Sequence, residues 1–122
     1  MTALAAPMAR TLKIKTGAVK RLIKDREVYL REVDEQQARI AALRLKEGVE
    51  DADIRKQNEV LEETLQMIPH MERRIREAMQ DLANLVASLA DGAAQGQPDE
   101  LRSAQEAIAA AQDAIPAAQP VA

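Results

Sequence analysis

The hydrophobic residues of this chain recur every three or four positions over two long stretches and one short one, which is the period of amphipathic α-helices. From about Ala9 to Lys46, Leu12, Val19, Val33 and Ile40 fall at heptad position a, Leu22, Tyr29 and Leu43 at d, and Ile23 and Leu30 at e. Arg26 interrupts the a column, an interruption that costs stability but fixes register. From about Asp53 to Ala90 the a column is unbroken: Ile54, Leu61, Ile68, Ile75, Leu82 and Leu89. Met71, Ala78 and Leu85 accompany it at d, and Leu65, Met79 and Val86 at e. Between the two stretches, Gly48 can close the first helix in left-handed geometry, and Asp51 or Asp53 can serve as N-cap for the second. A connection this short makes the helices antiparallel neighbours.

At roughly 37 residues each, these helices would span roughly 55 Å and match as a hairpin. A third, shorter helix is predicted over about residues 98–115. Pro98 suits its first position, Asp99 and Glu100 its first turn, and Pro116 its stop, while Leu101, Ala104, Ile108 and Ala111 give its apolar face. The fold class is therefore all-α: an antiparallel three-helix bundle over residues 9–115, with two long helices as a coiled-coil hairpin. Residues 1–8 and 116–122 are expected to be a flexible lead-in and tail. The third helix is long enough to cover less than half of the hairpin, so the region around Gly48 is predicted to be two helices thick.

Pro69 sits mid-way along the second long helix without disturbing the heptad, and a kink is predicted there. In a hairpin closing near residue 49 or 50, Pro69 lies level with Leu30 and Tyr29, so Tyr29 should pack at the bend. That ring is the only aromatic side chain in a composition that is 47% hydrophobic. The core must consequently be packed from Leu, Ile, Val, Met and Ala, which favours narrow helix seams.

The formal net charge is only -3, but charge is unevenly placed. The same register brings Arg73, Arg74 and Arg76 beside Lys20, Arg21 and Lys24, whereas residues 47–63 are dominated by Glu and Asp. Such a pattern is either solvated surface or a complement to an acidic protein partner. Nucleic-acid binding would call for a larger basic excess and stacking aromatics. Ile14 and Val28 at c, with Val60 and Met67 at g, lie off the seam. They read either as ordinary surface apolar residues or as a docking strip, which Met67 and Met71 would make adaptable.

Chemistry-bearing groups are scarce. With no cysteine there are no disulfides, thiolate nucleophiles or zinc-cysteine sites, which suits a reducing compartment. His70 is the sole histidine, and Ser88 and Ser103 lie in no nucleophile elbow or phosphate loop. No enzyme, metal or cofactor is expected. No apolar run approaches the length of a membrane span, and Met1 to Pro7 lacks the charged start of a secretory signal. The first 24 residues are basic and acid-free like a transit peptide, but they contain little serine and share the periodicity of the helix that follows.

The stretch Leu12-Lys13-Ile14-Lys15-Thr16-Gly17-Ala18-Val19-Lys20-Arg21-Leu22-Ile23-Lys24, followed by Tyr29 and Glu32, closely resembles the opening of the tubulin-binding cofactor A family. Met67-Ile68-Pro69-His70-Met71-Glu72-Arg73-Arg74-Ile75 is similar to that family's Ile-Pro step followed by two basic residues, and Asp53-Ile54-Arg55-Lys56-Gln57 also fits. The chain departs from the family at His70-Met71, where an acid and a small residue are common, and in its alanine-rich third helix. The resemblance implies a cytoplasmic, cytoskeleton-associated chaperone. It would capture and stabilise β-tubulin folding intermediates released from the cytosolic chaperonin, for assembly into αβ-tubulin heterodimers, with other tubulin-folding cofactors as further partners. It also implies that helix surfaces make the contacts. Lys13, Lys15, Lys20, Arg21, Lys24, Arg73 and Arg74 match the family signature and, with Ile14, Val28, Val60 and Met67, form the candidate contact set. Tyr29 and Pro69 match it as structural positions. No catalytic, cofactor or metal residue is carried over. The competing readings are a generic coiled-coil adaptor or assembly subunit that docks on another helical protein, and a basic-surface nucleic-acid or ribosome binder. Monomer and homodimer are both compatible with the apolar pattern.

Overall fold

The computed structural model describes residues 6–90 and 99–115. Among these residues there are three α-helices and no strand: α1 (Ala6–Leu45), α2 (Asp51–Ala90) and α3 (Asp99–Ala114). The expectations for residues 1–5, for Pro98 at the start of the third helix, for Pro116 and for the tail to residue 122 lie outside the described residues.

Helix α1 begins at Ala6, so residues 6–8 are helical where a flexible lead-in was expected. Pro7 is no obstacle there, because the first N–H groups of a helix have no intrahelical acceptor to lose. The Thr11 hydroxyl donates back to the Pro7 carbonyl at 3.0 Å and ties down this turn. At the other end, Lys46 N–H donates to the Leu43 carbonyl at 3.1 Å, and Gly48 takes φ +82°. An L side chain there would be strained, which is why glycine stands at the reversal.

The start of α2 corrects the N-cap expectation. Neither Asp51 nor Asp53 caps; both lie in the first turn of the helix. The carbonyl of Glu50 accepts from Asp53 N–H at 3.0 Å and Ile54 N–H at 3.4 Å, so Glu50 holds the cap position. The two aspartates instead place negative charge against the positive end of the helix dipole. Downstream, α2 runs as one helix through Pro69, which lies on an exposed face. Exposure there leaves solvent, not a core group, beside the carbonyl of Leu65 that proline cannot serve.

The chain divides into two compact units, one of residues 1–23 and 73–122 and one of residues 24–72. In the first, three helices share a dry core. Helix α1 contributes Leu12, Val19 and Leu22, α2 contributes Ile75, Met79, Leu82 and Val86, and α3 contributes Leu101, Ala104, Ala107 and Ala111, with Ile115 just beyond it. Ala107, not the expected Ile108, faces this core, and Ile108 is half-buried. A column of alanines lets α3 lie close to its neighbours, leaving the bulkier isoleucine at the edge of the contact.

The second unit is a helical hairpin with a thinner core. Its buried apolar residues are Val33, Ile40 and Met71, while Ile54, Leu61 and Ile68 of the a column are half-buried. The e positions, expected to fill the seam, are open here: Leu30 is 37% and Leu65 42% exposed. In the first unit, which includes α3, the equivalent Met79 and Val86 are 1% and 8% exposed.

Two stability differences follow. Leu82→Ala should destabilise by about 2–5 kcal/mol, the usual range for a fully buried leucine, and Leu61→Ala by clearly less, as read by urea unfolding. Pro69→Ala restores a helical donor at an exposed site and should stabilise by about 1–3 kcal/mol, seen as a higher Tm in helical circular dichroism.

Candidate interaction faces

In the first unit, heptad geometry turns the b, c and f positions of α1 outward. Lys13, Ile14, Lys20 and Arg21 are accordingly exposed, Ile14 at 66%. Arg73 and Arg74, at the start of this unit's α2 segment, are exposed as well, and neither has a hydrogen-bond or ion-pair partner among the described residues. Lys15 differs from the rest of the candidate set. It sits at d, and its ammonium pairs with the Asp81 carboxylate of α2 while the two side chains stay 36% and 59% exposed. Thr16 is buried at 5% and satisfied by its own helix, donating to the Leu12 carbonyl at 2.7 Å.

Lys20 Nζ reaches Ser103 Oγ of α3 at 3.5 Å, the far limit of a hydrogen bond. Around this contact Lys13, Thr16, Gly17, Lys20, Asp99, Glu100 and Ser103 line an open cleft of about 440 Å³. The unit as a whole carries nine Lys and Arg against seven Asp and Glu.

The second unit has the opposite balance, thirteen Asp and Glu against eight Lys and Arg. Here Lys24 is exposed, Val28 and Val60 are 40% and 43% exposed, and Met67 and Tyr29 are half-buried. Two polar arrangements that the sequence reading did not assign lie across this hairpin. Arg26 donates through Nε (3.2 Å) and Nη2 (2.9 Å) to one carboxylate oxygen of Glu72, so the residue that broke the a column is neutralised by an acid on the facing helix. Gln36, 4% exposed, donates to the Gln57 carbonyl at 3.0 Å and to Gln57 Oε1 at 2.6 Å, and accepts from Arg39 Nη1 at 2.6 Å. Gln36, Arg39, Glu32, Glu35, Val60 and Thr64 line a smaller cleft of about 220 Å³. The signal for both arrangements was present. Gln36 and Gln57 occupy d in their own heptads, and Glu72 occupies e near the level of Arg26.

Among the described residues, no group of His, Asp or Glu could hold a metal ion, and no helix is long and apolar enough to cross a membrane. The class these features define is a small helical bundle whose distinctive groups lie on outer helix faces. Residues 7–108 match the Tubulin binding cofactor A family, and the chain belongs to that family. Tubulin-specific chaperone A of Homo sapiens is 41% identical over 88 residues, a match covering 72% of this chain and 81% of that protein. Among solved structures, tubulin folding cofactor A from Arabidopsis thaliana superposes with a TM-score of 0.78 at 29% identity, over 89% of this chain and 99% of that one. Rbl2p, a β-tubulin binding post-chaperonin cofactor, superposes with a TM-score of 0.70 at 35% identity, over 84% and 95%. The matched proteins are named as chaperones and cofactors, not as enzymes.

The Arg26–Glu72 pair makes a measurable claim. Glu72→Ala leaves a partly buried guanidinium unpaired and should cost about 1–2 kcal/mol in urea unfolding, whereas Arg26→Met with Glu72→Leu should recover most of that loss.

Proposed function

We propose that this chain is a tubulin-folding chaperone that captures β-tubulin folding intermediates leaving the cytosolic chaperonin and holds them for assembly into αβ-tubulin heterodimers. The observation that carries this reading is its membership of the Tubulin binding cofactor A family, with Rbl2p, a β-tubulin binding post-chaperonin cofactor, among its structural neighbours. The surface chemistry supports it. Unpaired arginines and lysines on the first unit would steer an acidic client, and the exposed apolar groups would supply short-range contact. On this reading, Lys13, Ile14, Lys20, Arg21, Arg73 and Arg74 form one set of contacts on the first unit, and Lys24, Val28, Val60 and Met67 a second set on the hairpin. Lys15 contributes through its bond to Asp81, and Tyr29 and Pro69 through the shape of the hairpin.

Mixing the protein separately with isolated β-tubulin, αβ-tubulin and RNA, then sizing each mixture, discriminates the classes of function. A stable complex with isolated β-tubulin is the expected result. A complex with RNA alone, or with none of the three, would leave the nucleic-acid or generic adaptor reading standing instead. Arg73→Glu with Arg74→Glu should weaken capture of β-tubulin at least tenfold while the melting curve stays that of the parent, since both side chains are exposed and unpaired. Unchanged capture by this variant would remove the charge-steering component.

A further inference from the structure

Gly17 is the only glycine in α1, and it lies well inside the helix. Glycine in a helix interior weakens it relative to alanine, so it is kept where a positive φ or a close neighbour requires it. Neither reason holds among the described residues. Among the described residues the positive-φ glycine is Gly48, and a Cβ built at Gly17 meets nothing within 4 Å. Gly17 is also exposed. Among the described residues nothing fills the space above the missing side chain.

The surroundings say what could enter that space. Lys13 and Ile14 precede Gly17 by one helical turn, Lys20 and Arg21 follow it by one, and Arg10 lies a turn further back on the same face. All are exposed, and α1 carries no acid between Ala6 and Ile23. Arg10, Lys13 and Arg21 have no ion-pair partner among the described residues, and Lys20 has only its long contact to Ser103. The acids bordering the cleft, Asp99 and Glu100, lie on its α3 side, and Asp99 is engaged by Arg102 at 3.6 Å.

We propose that Gly17 is a close-approach point for an acidic segment of the client, whose backbone lies over the missing Cβ while its carboxylates meet Lys13, Lys20, Arg21 and Arg10. The exposed Ile14 gives the same segment an apolar foothold. This inference rests on the proposed capture of β-tubulin and adds to it the geometry and charge of the bound segment. It also requires that stability and binding respond to Gly17 in opposite directions, which a glycine kept for folding could not produce.

The test compares Gly17→Ala and Gly17→Leu with the parent chain, using isolated β-tubulin as probe and thermal unfolding as the second readout. Both variants should melt higher, Gly17→Ala by about 4 °C, because helix propensity rises and nothing is displaced. Capture should fall severalfold for Gly17→Ala and tenfold or more for Gly17→Leu. It should also weaken between about 0.05 M and about 0.5 M salt as the charges are screened. Parental capture with equal capture by Gly17→Leu overturns this inference alone, as does a lower Tm for Gly17→Ala, which would mean the glycine serves the fold. Salt-insensitive capture overturns the acidic character of the segment. Absence of capture by the parent chain sinks the chaperone reading and this inference together.

Discussion

Ala104, Ala107 and Ala111 are at most 1% exposed, and burying the smallest side chains on one face of α3 sets how closely that helix lies against its neighbours. A chain with one aromatic ring cannot thicken its core with large groups, so it must gain burial by bringing backbones together. In the three-helix unit this closes the centre of the apolar face of α2, with Leu82 and Ile75 at 0% exposure, while Leu85 and Leu89 nearer its end stay half-buried. Where α3 takes no part, the same heptad pattern gives a partly wetted hairpin. The two units thus differ both in the third, narrow helix of the first and in the polar residues Arg26, Gln36 and Gln57 that take seam positions in the second.

The hairpin uses polar groups where the other unit uses methyl groups. Arg26 with Glu72, and Gln36 with Gln57, place directional bonds between helices whose apolar contacts alone would tolerate sliding by a turn. Each bond needs one facing residue at one height. Gln36 has no unsatisfied polar atom, so its burial carries little of the penalty that an isolated amide would suffer. In such an element register can be well defined while apolar burial stays low, and partly exposed Leu30, Val60 and Leu65 remain available on its surface.

Much of this architecture was legible in the sequence because the heptad a column of α2 is unbroken and Gly48 marks the reversal. Other features were not. The cap at Glu50 is made by a backbone carbonyl, which leaves no side-chain signature, whereas the neighbouring aspartates carry the usual one. Ala107 and Ile108 are adjacent in sequence but about 100° apart around the helix, and hydrophobicity alone favours the larger residue, whereas packing distance selects the smaller. The openness of Leu30 and Leu65 follows from a two-helix unit having no further element over its e positions, which no local pattern in α1 or α2 encodes. Of the candidate contact residues, Lys15 looked like its basic neighbours in sequence and differs only by position d, which brings it to Asp81. The family was legible only through two motifs, since periodicity and charge describe many helical proteins equally well.

The lone ring has a consequence outside folding and binding. Tyr29 is the only aromatic residue, tryptophan and phenylalanine being absent, and it lies half-buried in the hairpin. Near-ultraviolet absorbance and intrinsic emission therefore originate at a single point of the molecule and report on residues 24–72 alone. Excited where only tryptophan absorbs, the chain is dark. Any tryptophan-bearing client can then be observed in its presence without subtraction, which turns a poverty of the core into an optical window on whatever the helices hold.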